Sequence, residues 1–188
     1  MTKLSFEPAL DRPDLLAAPT AKAVGALAPG AAVEVAQIDP DLADTAAFCA
    51  TYGIGLDESA NCVIVAAKRA GEVTYAACLV LATTRADING LARRHLGARK
   101  ISFAPMDDAV ALTGMQYGGI TPVGLPEGWP ILIDPAVAQQ AGVVVGSGIR
   151  GSKLRLPGAV LAALPGAEVL EGLGVPVPAA DDSAGRQD

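Results

Sequence analysis

Few residues in this 188-residue chain are of a type that performs covalent or metal chemistry. The single histidine, His95, sits in the basic run RRHLGARK (93–100), where a surface position is expected. The cysteines Cys49, Cys62 and Cys78 make no C-x-x-C motif, so a closed zinc site lacks ligands. A Cys–His nucleophile would need one thiol to meet His95. Cys62 and Cys78 lie instead in apolar runs that suit inert core thiols. Neither a G-x-S-x-G elbow nor a Walker loop occurs, and no metal and no cofactor is expected.

The glycines are more informative. GSGIRG (146–151) reads as G-x-G-x-x-G after an apolar strand, but a dinucleotide site needs a helix to begin there. The chain continues instead as SKLRLP, an alternating strand closed by Pro157, so the motif reads as a strand-to-strand turn. A reductase built on it would retain a dinucleotide on purification, and none is expected. GGITPVGLP (118–126) is a different case. Glycines there let backbone N–H groups approach a ligand, and Pro122 stiffens the loop. Such amides can bind a carbonyl or carboxylate oxygen and stabilise an oxyanion. The segment 114–130 is too rich in Gly and Pro for regular structure, and its length marks a functional loop.

Alternating elements must position these loops. Residues 13–27 read as a helix that Pro19 kinks or restarts, 31–38 as a strand and 41–52 as a helix stopped by Gly53. The runs 62–67 and 73–82, separated by KRAGE, read as a strand–turn–strand pair. Asp87 caps a helix ending near His95, with Gly97 as its stop. A strand at 100–103, a short helix at 107–112, strand 131–133, helix 135–140, strands 142–146 and 153–156 and helix 158–163 complete an α/β chain. Residues 1–174 are expected to form one domain, and 175–188 a disordered tail.

Composition narrows the setting. Apolar residues make up 51% of the chain and aromatics 4%, so the core must be aliphatic. No apolar run approaches the ~20 residues of a membrane helix. The N-terminus carries early acids rather than the apolar stretch of a signal peptide, and an odd cysteine count suits reduced thiols; a cytoplasmic protein is expected. The net charge of −6 is unevenly spread. Residues 1–60 hold three bases and nine acids, whereas 61–100 hold seven bases and two acids. That basic stretch can attract a phosphate backbone although the whole chain is acidic.

Several segments together resemble the YbaK/EbsC family, which includes the editing domain associated with prolyl-tRNA synthetase. They are ANCVIVAAK (60–68), LVLATTRADINGLARRHLGARKISFAP (79–105), DDAVALTGMQYGGITPVGLP (107–126), PILID (130–134) and VVVGSGIRGSKLRL (143–156). Gly118 and Pro122 match the family's G-x-x-x-P substrate loop, and Gly146 and Gly148 its second glycine turn. The resemblance implies a mixed α/β (α+β) fold with a curved, barrel-like sheet surrounded by helices. It also implies hydrolysis of the ester in a mischarged aminoacyl-tRNA, often tRNA(Pro) carrying a small residue. In one respect the chain departs from the pattern. Members carry Lys-Thr where it has Asn61-Cys62, and that lysine is associated with activity. Lys68 cannot replace it, because seven residues along a strand span roughly 23 Å and the odd offset turns the side chain to the other face. Arg150 is the expected source of positive charge.

The expected function is therefore a trans-editing aminoacyl-tRNA deacylase. Asn61, Gly118, Gly146 and Ser147 are its candidate catalytic positions. Gly119, Ile120, Thr121, Pro122, Gly124, Asp134, Gly148 and Arg150 would bind substrate, with Asp134 as a supporting acid. Arg93, Arg94, Arg99 and Lys100 would contact RNA. The expected partners are the acceptor end of a mischarged tRNA and a synthetase, without membrane or DNA. The alternative is a protein that kept the pocket, lost the chemistry with the lysine, and binds an aminoacyl-tRNA, an amino-acid-like ligand or a protein partner.

Overall fold

The computed structural model describes residues 4–28 and 30–177. Its N-terminal part runs through β1 (Glu7–Pro8), α1 (Ala18–Gly25), β2 (Glu34–Gln37) and α2 (Thr45–Tyr52). The middle consists of β3 (Ala60–Arg69), β4 (Glu72–Leu81), β5 (Thr84–Ala86), α3 (Arg93–His95), β6 (Lys100–Phe103) and α4 (Met106–Thr113). After the long loop come β7 (Ile131–Ile133), α5 (Pro135–Ala138), β8 (Val143–Gly146), β9 (Ser152–Leu156), α6 (Gly158–Ala162), β10 (Ala167–Val169) and β11 (Gly174–Pro176). None of the described helices is long and apolar enough to cross a membrane.

The β3–β4 hairpin turns on Ala70 and Gly71, both at positive φ (51° and 88°), as a two-residue turn that follows the strand twist requires. Pro19 restarts the first helix: a 3-10 turn at Pro13–Leu15 precedes α1, and Pro19 lies in its first turn, where no amide donor is missed. Asp44 caps α2 by accepting from the amides of Ala46 (3.0 Å) and Ala47 (3.3 Å). The helix expected from Asp87 opens instead as a π-helical turn, Ile88–Ala92, capped by the Asp87 carboxylate.

Two larger sheets carry the fold. One has the order β1-β2-β9-β8, and the other β10-β7-β4-β3-β6. Their facing sides share an aliphatic core of residues such as Val35, Val145, Leu154, Leu79 and Ile133. The outer side of the first sheet packs under α2 through Phe48 and Val144. The outer side of the second packs Val65, Cys78 and Leu132 against Ile88, Ala92 and Leu173. A single parallel bridge, Ser59 with Val144, joins the two sheets, and they do not close into a barrel among the described residues. The expected barrel-like closure is thus replaced by two sheets meeting at one corner. Toward the C-terminus, Gly174–Pro176 pairs with Thr84–Ala86, so Val175 and Pro176 belong to a strand. Residues 178–188 of the expected tail lie outside the described residues.

Candidate functional site

An open cavity of about 590 Å³ lies at the edge of β3 where β6 stops. β6 pairs with Val65–Lys68 only, and the amide of Ala104 then donates to the Ile64 carbonyl at 2.9 Å. Beyond that bond the chain turns through Pro105 into α4, and the first residues of β3 face the cavity. By strand alternation the Cys62 peptide is directed to the same edge as that of Ile64, so its N–H and C=O turn toward this space. Asn61, Thr45, Asp44, Gly118 and Lys153 give the cavity a polar side. Ile64, Phe103, Ala104, Met106, Ala109 and Ile120 give it an apolar one.

The hydrogen bonds on the polar side are specific. Thr45 Oγ1 donates to Asn61 Oδ1 at 2.7 Å, which fixes the amide and leaves its NH₂ as a donor. Lys153 Nζ donates to the Ala43 carbonyl at 2.9 Å and lies 5.3 Å from the Phe48 ring centroid. Lys153 is 7% exposed, and among the described residues no carboxylate comes within ion-pair distance of it. Burial holds its ammonium below the ordinary lysine range, with the charge of Arg150 a smaller influence in the same direction. The Asp44 carboxylate at the start of α2 opposes that shift in part. Burial pushes the Cys62 thiol far up, and Cys78 up to about 12, so neither is a thiolate at neutral pH. No three His, Cys, Asp or Glu side chains gather for a metal among the described residues. The cavity thus offers hydrogen-bond donors and one cation to a ligand oxygen, beside an apolar recess, without a side-chain nucleophile.

A family model for the aminoacyl-tRNA editing domain matches residues 39–164. The chain belongs to that family. It is the family that the glycine loops and the strands around them resemble, and the match takes in every residue that lines the cavity. Among solved structures, a candidate trans-editing enzyme for prolyl tRNA synthetase superposes with a TM-score of 0.64 at 22% identity, over 74% of this chain and 85% of its own. A scaffold protein used in epitope backbone grafting gives 0.70 at 21% identity, covering 82% of this chain and 95% of its own. A hypothetical protein gives 0.60 at 26% identity, covering 69% and 83%. These likenesses show the fold of the editing domain.

Within this editing domain the expected site residues separate into groups. Asn61, Gly118 and Ile120 line the cavity. Gly119, Gly146 and Gly148 stand behind it, where the two glycine segments cross. Gly148 N–H donates to the Gly119 carbonyl at 2.7 Å, and the Gln116 amide to the Gly148 carbonyl at 2.8 Å. A Cβ on Gly119 would collide with the Ile149 backbone, and one on Gly146 with the carbonyl oxygens of Gly119 and Ile120. Those glycines let backbone pass backbone.

The other expected contacts fall elsewhere. Ser147 is fully buried, with its hydroxyl bonded to Ser152 Oγ at 2.7 Å and to the Ser152 carbonyl at 3.0 Å, so it does not reach the cavity. Thr121 is fully buried too. Pro122 and Gly124 line a second, apolar cavity beside Trp129 and Leu27. Asp134 caps α5 through the Ala136 amide (2.9 Å) and accepts from the Gly174 amide (2.7 Å), a structural role. The Arg150 guanidinium spans the carbonyls of Tyr117 (3.2 Å) and Pro40 (3.0 Å), tying the glycine loop to the turn before α2. Arg93 Nε donates to the Asn89 carbonyl at 2.9 Å, while Arg94, Arg99 and Lys100 are exposed.

Lys153 was not among the expected positions. In KLRL (153–156) it alternates with Arg155, as on a solvent face, and Arg155 does pair with Glu34 at the surface. Only the packing of α2 over one end of that face buries the lysine. Phe103, 64% exposed, carried a weak signal, an aromatic residue just before the Pro105 break.

Proposed function

We propose that this chain is a trans-acting deacylase that hydrolyses the ester of a mischarged aminoacyl-tRNA carrying a small amino acid, tRNA(Pro) or a related tRNA being the expected carrier. The observation that carries the proposal is the cavity on which Asn61, the Gly118–Ile120 loop and Lys153 converge in a chain of the editing family. The acyl side chain occupies the apolar recess. The carbonyl oxygen faces the Asn61 amide and the Cys62 N–H, which stabilise the oxyanion as water adds to the carbonyl carbon. The ester C–O bond then breaks, the terminal ribose oxygen takes a proton from the added water, and the free amino acid leaves. No side-chain nucleophile is required, because the adjacent ribose hydroxyl orients the water. Lys153 supplies the positive charge that position 61 lacks. Arg94, Arg99 and Lys100 hold the acceptor stem through phosphate contacts.

The test is release of free amino acid from tRNAs charged with Ala, Cys, Ser, Thr or Pro. Selective release of one residue, lost in Gly118→Val, is expected. Binding of charged tRNA with no release above the spontaneous rate would overturn hydrolysis in favour of a binding protein, a reading that Asn61 in place of lysine favours.

A further inference from the structure

A smaller cavity of about 260 Å³ adjoins the first and shares with it Asn61, Val63 and Phe103. The rest of its wall is formed by Val80, Ile88, Arg85 and Asn89 with their neighbours on β5. Phe103 therefore stands as a partition between two open spaces, 64% exposed, in a chain with only 4% aromatic residues. Among the described residues, no acid lines the smaller space. The carboxylate adjacent in the chain, Asp87, is occupied by the amides of Gly90 and Leu91. Arg85 and Asn89 are exposed and offer donors and an acceptor at the rim.

The chemistry of the substrate fixes what must lie next to the acyl group. In an aminoacyl-tRNA the acyl carbon is esterified to the ribose of the last, unpaired nucleotide, so a base lies one sugar away from the ester. With the ester at Asn61, the neighbouring space that also touches Asn61 is where that base arrives. A flat aromatic face suits any base, and an asparagine suits the N6/N7 edge of adenine. Beyond Phe103 on β6 comes Lys100, directly opposite Lys68 on β3; by strand alternation both point to the face away from Phe103, and Arg99, one residue further along, returns to the Phe103 face. Arg99 thus offers a cation to a phosphate chain leading away from the cavity along that face.

We infer that the smaller cavity is a nucleobase site, in which the unpaired 3′-terminal adenine stacks on Phe103 with its edge toward Asn89. The inference deepens the deacylase proposal and rests on it for the position of the ester.

The experiment uses the full chain and a stem–loop RNA whose single-stranded 3′ end finishes in adenine, replaced by 2-aminopurine for the fluorescence reading alone, beside the same RNA ending in an abasic ribose. Wild-type protein is expected to quench the 2-aminopurine fluorescence and to bind the abasic RNA about tenfold more weakly, the loss of one stacked base. Phe103→Ala is expected to lose that discrimination and Phe103→Trp to keep it. Because Phe103 is exposed, the variants retain the fold, which thermal unfolding checks. Equal binding of the two RNAs by wild type, or unchanged discrimination in Phe103→Ala, would overturn the inference. The two proposals fail separately: amino acid release without base discrimination removes the nucleobase site, and base discrimination without release removes the deacylase.

Discussion

Thr45 and Asn61 are joined by a 2.7 Å hydrogen bond in which the hydroxyl donates to the amide oxygen. The bond engages the amide oxygen of Asn61 and leaves its NH₂ as the donor available to the cavity that Asn61 lines. Asn61→Ala removes that donor and is expected to lower kcat about a hundredfold, the scale of one lost oxyanion contact. Asn61→Asp, which places a negative charge against the developing oxyanion, is expected to be slower still. Single-turnover release of amino acid measures both. If Asn61→Lys instead creates hydrolysis that the natural chain lacks, the protein is a binder.

Lys153 predicts an alkaline limb. Its ammonium is held below the ordinary range by burial, so its charge is lost as pH rises through that lowered value. kcat/KM is expected to fall there, and the limb to vanish in Lys153→Met, whose activity is low throughout. Stability moves oppositely. Between the lowered folded value and the ordinary lysine value the unfolded chain binds more protons, so the wild-type fold gains stability as pH rises across that window. Denaturant unfolding as a function of pH should show the gain in wild type and not in Lys153→Met.

The pair Lys68–Lys100 separates stability from RNA binding. Lys100→Glu places opposite charges across β3 and β6 and is expected to raise stability by about 0.2–1 kcal/mol. The same change should weaken RNA binding across all sequences and reduce its dependence on salt by about one ion. Thermal melts and salt titrations read the two effects.

Gly146→Ala tests the backbone crossing. The added methyl meets the carbonyl oxygens of Gly119 and Ile120, and a loss of about 1–3 kcal/mol is expected in denaturant unfolding. Gly30→Ala, where a methyl meets nothing within 4 Å but φ is +90°, separates backbone strain from collision and is expected to cost less.

The β3–β4 hairpin was legible in the sequence because two long apolar runs flank the short polar turn KRAGE. The short strands β5 (TRA), β10 (AEV) and β11 (GVP) were not: unlike the equally short ILI of β7 they carry no apolar run, and only pairing, as of Thr84–Ala86 with Gly174–Pro176, makes them strands. At the candidate site, Gly118 was readable as a member of the G-x-x-x-P loop, and Asn61 as the position where the chain departs from the family's Lys-Thr. Ser147 was misplaced because a serine beside glycines looks available, whereas Ser152 takes its hydroxyl. Lys153 needed the third dimension: strand alternation gives its face, and α2 decides that this face is covered.

The crossing of the two glycine segments has a bearing on how this domain diverges. Glycines that let backbone pass backbone admit no side chain, so mutation there is met by misfolding rather than by a new preference. Under the proposed deacylation, inheritable change in which acyl group is accepted enters instead through the side chains of the apolar recess, at Ile64, Ala104, Met106, Ala109 and Ile120, where a methyl gained or lost reshapes it and leaves the scaffold intact.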